Sequence, residues 1–216
     1  MAASDRQGRL RRYWDRQAPT YDRQMSFADR RLFRDTRPWI AAKAVGDVLE
    51  VAVGTGLNLP YYPSQARLTA VEWSPRMLAL ARHRAAELGR DVDLRLGDAQ
   101  ALDFPDASFD TVVCTFSLCA IPDERRALGE MSRVLRPGGL LLLADHVPAT
   151  AWPLRLGQRL AEVVSVPLGG EHFLRRPADQ VRGWGWAVEG HDRFARGVIE
   201  RLAARKPPVA DTAPAR

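Results

Sequence analysis

The strongest constraint on the fold is the alternation of short apolar runs with segments of helical spacing. Five runs are mostly apolar and bounded by Gly, Pro or Asp: DVLEVAV, RLTAVEW, VDLRLGD, FDTVVCTFS and GLLLLADH. Such runs are typical of buried parallel strands. The segment from Ser74 to Gly89 opens with a capping residue and Pro and closes with Gly, which predicts a helix. A second helix is predicted to start at Asp123 and to stop at Pro137.

Strands that alternate with helices specify an α/β domain with a mainly parallel sheet. Near the C-terminus, the strand-like segments WAVEGHDR and GVIERLAARK follow one another without a helix between them. They predict an antiparallel pair at one edge of the sheet. The predicted fold class is therefore α/β, with a doubly wound, mainly parallel seven-stranded sheet and an antiparallel C-terminal edge pair.

The two ends of the chain differ from its centre. Residues 1–40 contain ten arginines against five acidic residues and carry most of the net charge of +6. This basic, aromatic segment is expected to form either a helical lid on the main domain, residues 41–206, or a helix that lies on a membrane. Residues 207–216 are expected to be disordered. The N-terminus lacks the apolar core of a secretory signal, and the two cysteines lack C-x-x-C spacing, so a cytoplasmic setting is expected.

The first predicted strand contains Glu50 and runs into a turn with two glycines, Gly54 and Gly56. In an open α/β sheet, this turn lies in the ligand crevice at the carboxyl ends of the strands. A phosphate-binding loop would need a Lys after the turn, and none follows. A dinucleotide site would need a third Gly, but Leu59 occupies that position. The turn therefore favours a nucleoside without a pyrophosphate, while an ordinary tight turn stays open.

Acidic side chains lie at the ends of the first three predicted strands, at Glu50, Glu72 and Asp98. Glu72 follows the glycine turn at the spacing where an acid accepts hydrogen bonds from both ribose hydroxyls. Asp98 is placed to accept a hydrogen bond from an adenine amino group. Three acids at successive strand ends favour a nucleoside site over a chance turn.

Several segments closely resemble the class I S-adenosylmethionine-dependent methyltransferases of the small "type 11" kind: WDRQAPTYD, LEVAVGTGLNLPYYP, TAVEWSPRMLALAR, GDAQALDFPDASFDTVVCTFSLCAIPD and RVLRPGGLLLLADHV. Within this class, the chain looks most similar to membrane-associated alkyl-thiol methyltransferases and bacterial phosphatidylethanolamine N-methyltransferases. Quinone C-methyltransferases are a more distant likeness. The resemblance implies a Rossmann-like fold, S-adenosylmethionine as the cofactor, and transfer of a methyl group to an acceptor.

The resemblance also implies roles for individual residues. The glycine turn would face the methionine part of the cofactor, the acids would hold its amino group, ribose and adenine, and an N-terminal tyrosine would close over it. The expected cofactor-binding residues are Tyr21, Glu50, Ala52, Gly54, Gly56, Glu72, Trp73, Met77, Asp98, Ala99 and Thr115. The family pattern has glycine at the position of Ala52, so we expect binding to be weakened there rather than abolished.

Methyl transfer from a sulfonium is an in-line displacement that depends mainly on alignment of the reactants and exclusion of water. A base is needed only when the acceptor carries a proton near the operating pH. Asp145 and His146 follow the fifth strand and are the first candidates for catalytic groups, with Glu171 and His172 next. No H-E-x-x-H or clustered Cys/His pattern is present, so no metal site is predicted.

The expected acceptor is a small molecule or lipid, with a thiol or a phospholipid amine favoured. The alternative is a quinone, a phenol or another natural product methylated on carbon or oxygen. Nucleic acid is not expected, because CTFS stands where base-amine methyltransferases resemble one another in an Asn/Asp-Pro-Pro-Tyr turn. A nucleotide-fold oxidoreductase and a non-catalytic binding protein stay open as other classes, and no oligomeric state is predicted. Apolar residues within 151–176 are expected to line a substrate cavity or to join the core: Trp152, Leu154, Leu156, Leu160, Val163 and Val164.

Overall fold

A seven-stranded sheet forms the centre of the protein in the computed structural model, which describes residues 3–209. Its strands are β1 (Asp47–Val51), β2 (Arg67–Glu72), β3 (Val92–Leu96), β4 (Phe109–Thr115), β5 (Leu135–His146), β6 (Ala187–Phe194) and β7 (Ile199–Arg205). The strand order is β3-β2-β1-β4-β5-β7-β6, parallel from β3 to β5 and antiparallel for β7 with both neighbours. This confirms the predicted sheet. The order reverses between β1 and β4, which is where ligands bind in such folds.

Six α-helices accompany the sheet in the described part of the chain: α1 (Ala3–Ala28), α2 (Thr36–Ala41), α3 (Pro75–Glu87), α4 (Glu124–Val134), α5 (Trp152–Gly169) and α6 (Pro177–Gly183). A π-helical turn, Asp29–Phe33, continues α1, and a 3-10 turn, Leu59–Tyr61, follows the glycine turn. The predicted cap of α3 is confirmed, because the Ser74 hydroxyl accepts a hydrogen bond from the Met77 amide.

The core occupies both faces of the sheet. Leu141 and Leu142 are adjacent on β5 and fully buried, yet they belong to two different hydrophobic clusters. Successive side chains of a strand point to opposite faces, so both faces of β5 are covered. Leu128 of α4 joins the first cluster and Ile40 of α2 joins the second. The sheet is therefore doubly wound, as predicted.

Two local predictions are wrong. The helix expected to run to Pro137 ends at Val134, and Leu135 already pairs with Phe109 of β4. Residues 135–137 instead form the start of β5, and the pairing of β5 with β4 shifts its register between Phe109 and Thr111. Pro137 lacks the N–H that a continuing helix would need there. The strand VDLRL, expected to be buried, is the edge strand β3 and is mostly exposed, because it pairs on one side only.

The expectation for the apolar residues of segment 151–176 is also wrong. Leu154 is half-buried, and the other five large side chains in that expectation, from Trp152 to Val164, are exposed. They line neither the crevice at the strand ends nor the core. The physical reason is that α5 turns polar side chains toward the protein, where they form hydrogen bonds with backbone groups.

The N-terminal helix α1 is attached to the main domain through polar contacts. Asp15 accepts a hydrogen bond from the Ser74 hydroxyl at 2.6 Å, and Asp22 accepts one from the Thr55 hydroxyl at 2.5 Å. Between residues 3 and 209, no helix combines the length and the apolar character needed to cross a bilayer. The division of the chain at residue 40 stays a prediction, and residues 210–216 of the expected disordered tail lie outside the described residues.

Candidate cofactor site

A crevice at the carboxyl ends of β1 to β4 collects the expected cofactor-binding residues, with Gly56 as the exception. The members that line it are Tyr21, Glu50, Ala52, Gly54, Glu72, Trp73, Met77, Asp98, Ala99 and Thr115. Trp14 of α1, Arg37 of α2 and Phe116 after β4 complete the wall together with smaller polar and apolar residues. The crevice lies at the switch point of the sheet, so the topology brings distant parts of the sequence to one place.

The two glycines of the turn have different roles. Gly54 has φ +59°, and a Cβ built there would have only the Met77 sulfur nearby, at 4.0 Å. A ligand can therefore approach its backbone closely. Gly56 does not line the crevice, and a Cβ there would lie 2.8 Å from Leu59 Cδ1. Gly56 is thus required by its φ of +82° and by packing against Leu59.

Two residues other than glycine line the crevice in the left-handed backbone region. Ala52 has φ +56° and Phe116 has φ +54°. This conformation is unfavourable for residues with a Cβ, and such strain tends to concentrate at functional sites. Ala52 thus takes up the backbone conformation that a glycine would adopt at this position, and its carbonyl accepts a hydrogen bond from the Ser117 hydroxyl at 3.3 Å.

Glu72 is a buried carboxylate held by the backbone of two turns. One oxygen accepts the Gly54 N–H and the other accepts the Ser74 N–H, each at 2.8 Å. Burial raises the pKa of Glu72, and the backbone hydrogen bonds act in the opposite direction. Each oxygen keeps acceptor capacity beyond its backbone partner, so the side chain can still receive a diol's hydroxyl hydrogens.

Glu50 is a buried carboxylate with one unsatisfied oxygen. Its Oε1 accepts a hydrogen bond from the Asn58 amide at 2.8 Å, whereas its Oε2 has no hydrogen-bond partner among the described residues. Burial raises the pKa of Glu50 to about 7. Tyr62 lies close enough to lower that pKa, but no hydrogen bond within ordinary distance joins its buried hydroxyl to the carboxylate. A buried oxygen without a partner is costly, and a bound ammonium group would satisfy it.

Sequence reasoning misses Asn58 and Arg37, which complete the polar floor of the crevice. Asn58 is buried, donates to Glu50 and to the Thr115 hydroxyl at 3.0 Å, and accepts from the Arg37 guanidinium at 3.0 Å. Arg37 also pairs with Asp29 at 2.9 Å. A lone amide within the apolar run after the glycine turn is a signal for Asn58. Arg37 carries no such signal, because it is one of many arginines in the N-terminal segment.

Asp98 lines the crevice but is already engaged with its own loop. Its Oδ1 accepts hydrogen bonds from the backbone and side-chain amides of Gln100, both at 2.9 Å. The same side-chain amide approaches Oδ2 at 3.1 Å. An adenine amino group would share this carboxylate with Gln100, so recognition of adenine by Asp98 stays a prediction.

The two catalytic candidates do not line the crevice. Asp145 is buried, and its oxygens accept the amides of Cys119 at 3.0 Å and His146 at 2.7 Å. The His146 ring packs beside Phe116 and Phe173, with ring centroids 5.6 and 5.9 Å apart. Phe116 lines the crevice and His146 does not, so the imidazole lies next to the crevice without reaching its wall. A direct base role for this pair stays a prediction.

The fold brings Cys119, Asp145 and His146 together, although their positions in the sequence show no ligand pattern. One ligand atom from each lies within 4.8 Å of the others. Burial raises the pKa of the Cys119 thiol well above its usual range, which disfavours the thiolate that binds metals. The expectation from the sequence that the chain has no metal site stays a prediction. Glu171 and His172, the second pair of candidates, also lie outside the crevice lining.

The sheet topology and the crevice define the class of nucleoside-binding α/β domains to which methyltransferases belong. Residues 49–143 match a family described as a methyltransferase domain. A demethylmenaquinone methyltransferase of Corynebacterium efficiens is 30% identical over 207 residues, which covers 85% of this chain and 86% of the relative. The chain therefore belongs to the S-adenosylmethionine-dependent methyltransferases.

Other similar proteins match over shorter segments. A phosphatidylethanolamine N-methyltransferase of Cereibacter sphaeroides is 44% identical over 50% of this chain and 55% of its own length. The human thiol S-methyltransferase TMT1B is 34% identical over 62% of this chain and 57% of its own. The chain thus spans between half and two thirds of these curated relatives. The solved complex of DhpI with SAH has a TM-score of 0.71 at 21% identity, covering 96% of this chain and 100% of that one, which supports the fold.

Proposed function

We propose that the protein transfers a methyl group from S-adenosylmethionine to a small, lipophilic acceptor by in-line displacement. The observation that carries the proposal is the convergence of Glu50, Glu72 and Asp98 on one crevice, together with the unsatisfied oxygen of Glu50. Such a lining suits a nucleoside that carries a ribose diol at one end and an ammonium at the other.

In this proposal each part of the crevice holds one part of the cofactor, which supplies a methyl carbon already activated by a sulfonium. Glu72 accepts hydrogen bonds from the ribose hydroxyls, and Glu50 pairs with the amino group. Gly54 allows the ligand to approach the backbone, since a Cβ built there would have only the Met77 sulfur within 4 Å. Asn58 keeps Glu50 in place through its hydrogen bond and thereby positions the cofactor's amino acid end.

We also propose that α1 acts as a lid. Trp14 and Tyr21 of this helix line the crevice, and Asp22 forms an ion pair with Arg84 at 2.5 Å on the main domain. These contacts favour a lid over a helix that lies on a membrane, because they turn aromatic side chains of α1 toward the crevice. A lid excludes water from the reacting groups and must open for cofactor exchange.

The side of the crevice where the acceptor would bind favours an acceptor that becomes a good nucleophile when it loses one proton. Phe116, Ile121 and Pro122 contribute apolar surface there, and the described lining contains no His, Lys or Cys. A lipophilic thiol fits this wall because a thiol, with a reference pKa of about 8.5 for Cys, loses its proton more readily than an alkyl amine, with about 10.4 for Lys, and the resulting thiolate is a strong nucleophile. A phospholipid amine fits next, because it needs one deprotonation before attack.

A quinone is the second candidate acceptor. The supporting observation is that the demethylmenaquinone methyltransferase relative covers 85% of this chain, more than the thiol or phospholipid relatives reported above. Carbon methylation of a reduced quinone would need a proton acceptor at the crevice, which makes this candidate less favourable than the thiol.

The proposal is tested by cofactor binding and by transfer of a labelled methyl group. Calorimetry should show micromolar binding of S-adenosylhomocysteine, and Glu72→Ala should weaken it by about 1–3 kcal/mol, as expected for lost hydrogen bonds to a charged acceptor. Glu189→Ala is the matched control, because this exposed acid of β6 pairs with Arg205 of β7. Equal affinity of the two variants would contradict the ribose assignment.

The acceptor is identified with tritium-labelled S-adenosylmethionine and a panel of alkyl thiols, phosphatidylethanolamine and reduced demethylquinones. Label in the thiol or the lipid amine supports the proposal, and label in the quinone alone supports the second candidate. Cofactor binding without transfer to any of them would support a non-catalytic binding protein instead.

A further inference from the structure

The helix α5 packs on the protein through its polar side. Gln158 accepts a hydrogen bond from the Ala149 amide and donates one to the Val147 carbonyl, at 2.8 and 2.9 Å. Glu162 accepts the amides of Phe173 and Leu174 at 2.6 and 2.9 Å. The Ser165 hydroxyl donates to the Glu171 carbonyl at 2.9 Å. Residues 158, 162 and 165 follow helical spacing, so they form one stripe that faces the protein.

The opposite side of α5 is apolar and exposed. Six large hydrophobic residues of this 18-residue helix are between 48% and 70% exposed: Trp152, Leu156, Leu160, Val163, Val164 and Leu168. Gly169, at the end of the helix, is its only buried residue. Positions 152, 156, 160 and 163 recur at helical spacing, and they lie across the helix from the polar stripe. A surface helix of a globular protein normally has the reverse arrangement, and a contiguous exposed patch of this kind marks an interaction site.

The surroundings of the apolar stripe are basic. A groove beside it is lined by Trp152 and Leu156 with Leu174 and Pro148, and its charged residues are Arg155, Arg159 and Arg176. None of its lining residues is acidic. Neither Arg155 nor Arg159 forms a salt bridge within residues 3–209, and Arg176 approaches only Asp179, at 3.8 Å. Glu162, the sole acid of α5, is turned toward the protein.

We propose that α5 is a membrane-docking surface for bilayers that contain anionic phospholipids. An apolar stripe with tryptophan at one end and arginines along its flank fits the boundary between headgroups and acyl chains. The apolar side chains enter the acyl region, and the arginines meet lipid phosphates through charge-assisted hydrogen bonds. The charge argues against a second copy of the chain as the occupant, because a copy with a net charge of +6 would bring like charges together.

The proposal does not depend on the acceptor or on methyl transfer, and it places the membrane contact on α5 rather than on the basic N-terminal helix. It is tested by sedimentation of the full chain with vesicles of phosphatidylcholine alone and of phosphatidylcholine with one third phosphatidylglycerol. Leu160→Glu places a charge in the middle of the stripe. Leu80→Glu on α3 is the matched control, since that leucine is also helical and exposed, at 39%. The double variant Arg155→Gln with Arg159→Gln tests the basic flank.

The wild type and Leu80→Glu should bind the anionic vesicles, and Leu160→Glu should bind at least about tenfold more weakly, since a charge is strongly disfavoured in the acyl region. The double arginine variant should lose most of the preference for anionic over neutral vesicles.

Equal binding by Leu160→Glu and the wild type, or no vesicle binding by the wild type, would overturn the proposal. A dimer in analytical ultracentrifugation that Leu160→Glu dissociates, without vesicle binding, would assign α5 to a second copy. If the double variant Arg11→Gln with Arg12→Gln loses vesicle binding while Leu160→Glu keeps it, the membrane contact lies on α1 instead.

Discussion

Ala52 provides the sharpest test of the turn that shapes the crevice. Its φ of +56° lies in the left-handed region, which costs an L-residue about 1–2 kcal/mol. Ala52→Gly removes this strain. The greater conformational freedom of glycine in the unfolded chain offsets about 0.5–1 kcal/mol of the resulting stabilisation. Taking the middle of both ranges, the net gain in the free energy of unfolding should be about 0.5–1 kcal/mol. For a chain of this length, that corresponds to a rise in Tm of about 1–4 °C.

The matched control is Ala107→Gly. Ala107 has φ +52° in an exposed turn before β4 and does not line the crevice. Both variants should therefore gain stability by similar amounts in calorimetric unfolding. Only Ala52→Gly should change the affinity for S-adenosylhomocysteine, which we expect to rise several-fold because the methyl group at the crevice wall is removed.

The two measurements separate the backbone claim from the binding claim. A gain in Tm for Ala107→Gly without one for Ala52→Gly would refute the left-handed conformation of Ala52. A gain in Tm for both, with unchanged cofactor affinity, would leave the backbone conformation intact. It would refute the role of the Ala52 methyl group at the crevice.

Two further predictions concern titratable groups near the crevice. Burial raises the pKa of Glu50 from 4.5 to about 7, so the native state holds its proton at a pH where the unfolded state has lost it. The free energy of unfolding should therefore fall by on the order of 2–3 kcal/mol from about pH 4.5 to 7. Glu50→Gln should remove this pH dependence in denaturant titrations. An unchanged pH dependence in the variant would contradict its assignment to Glu50. His146→Gln should lower kcat by less than about tenfold, because the ring is not in the crevice lining, and a loss of a hundredfold or more would indicate a general base.

Much of the fold is predictable from local patterns. The strands with a clear apolar run, the cap at Ser74 and the C-terminal pair all follow from side-chain periodicity and turn residues, which act over a few positions. The exposure of the strand β3 does not follow from local patterns. Its residues have the pattern of a strand, but its exposure depends on having one neighbour, and the number of neighbours is a property of the whole sheet.

The candidate cofactor site is predictable where it follows the ends of strands. Parallel strands align their carboxyl ends at one edge, so Glu50, Glu72 and Asp98 are brought together by topology alone. Arg37 and Asn58 meet there only because α2 packs against the sheet, and no local pattern encodes that contact. For His146 the position in the sequence is misleading. Its place after β5 suggests that it lines the crevice, but Phe116 lines the crevice and His146 does not.

The sequence by itself determined the succession of strands and helices along the chain, the glycine turn and the acids at the strand ends. These features depend on side-chain periodicity and on local backbone preferences. The tertiary structure alone decided which side of α5 meets water. Helical periodicity shows that one side is apolar and the other polar. Which side packs on the protein depends on hydrogen bonds from Gln158, Glu162 and Ser165 to backbone groups that only the folded chain brings into reach.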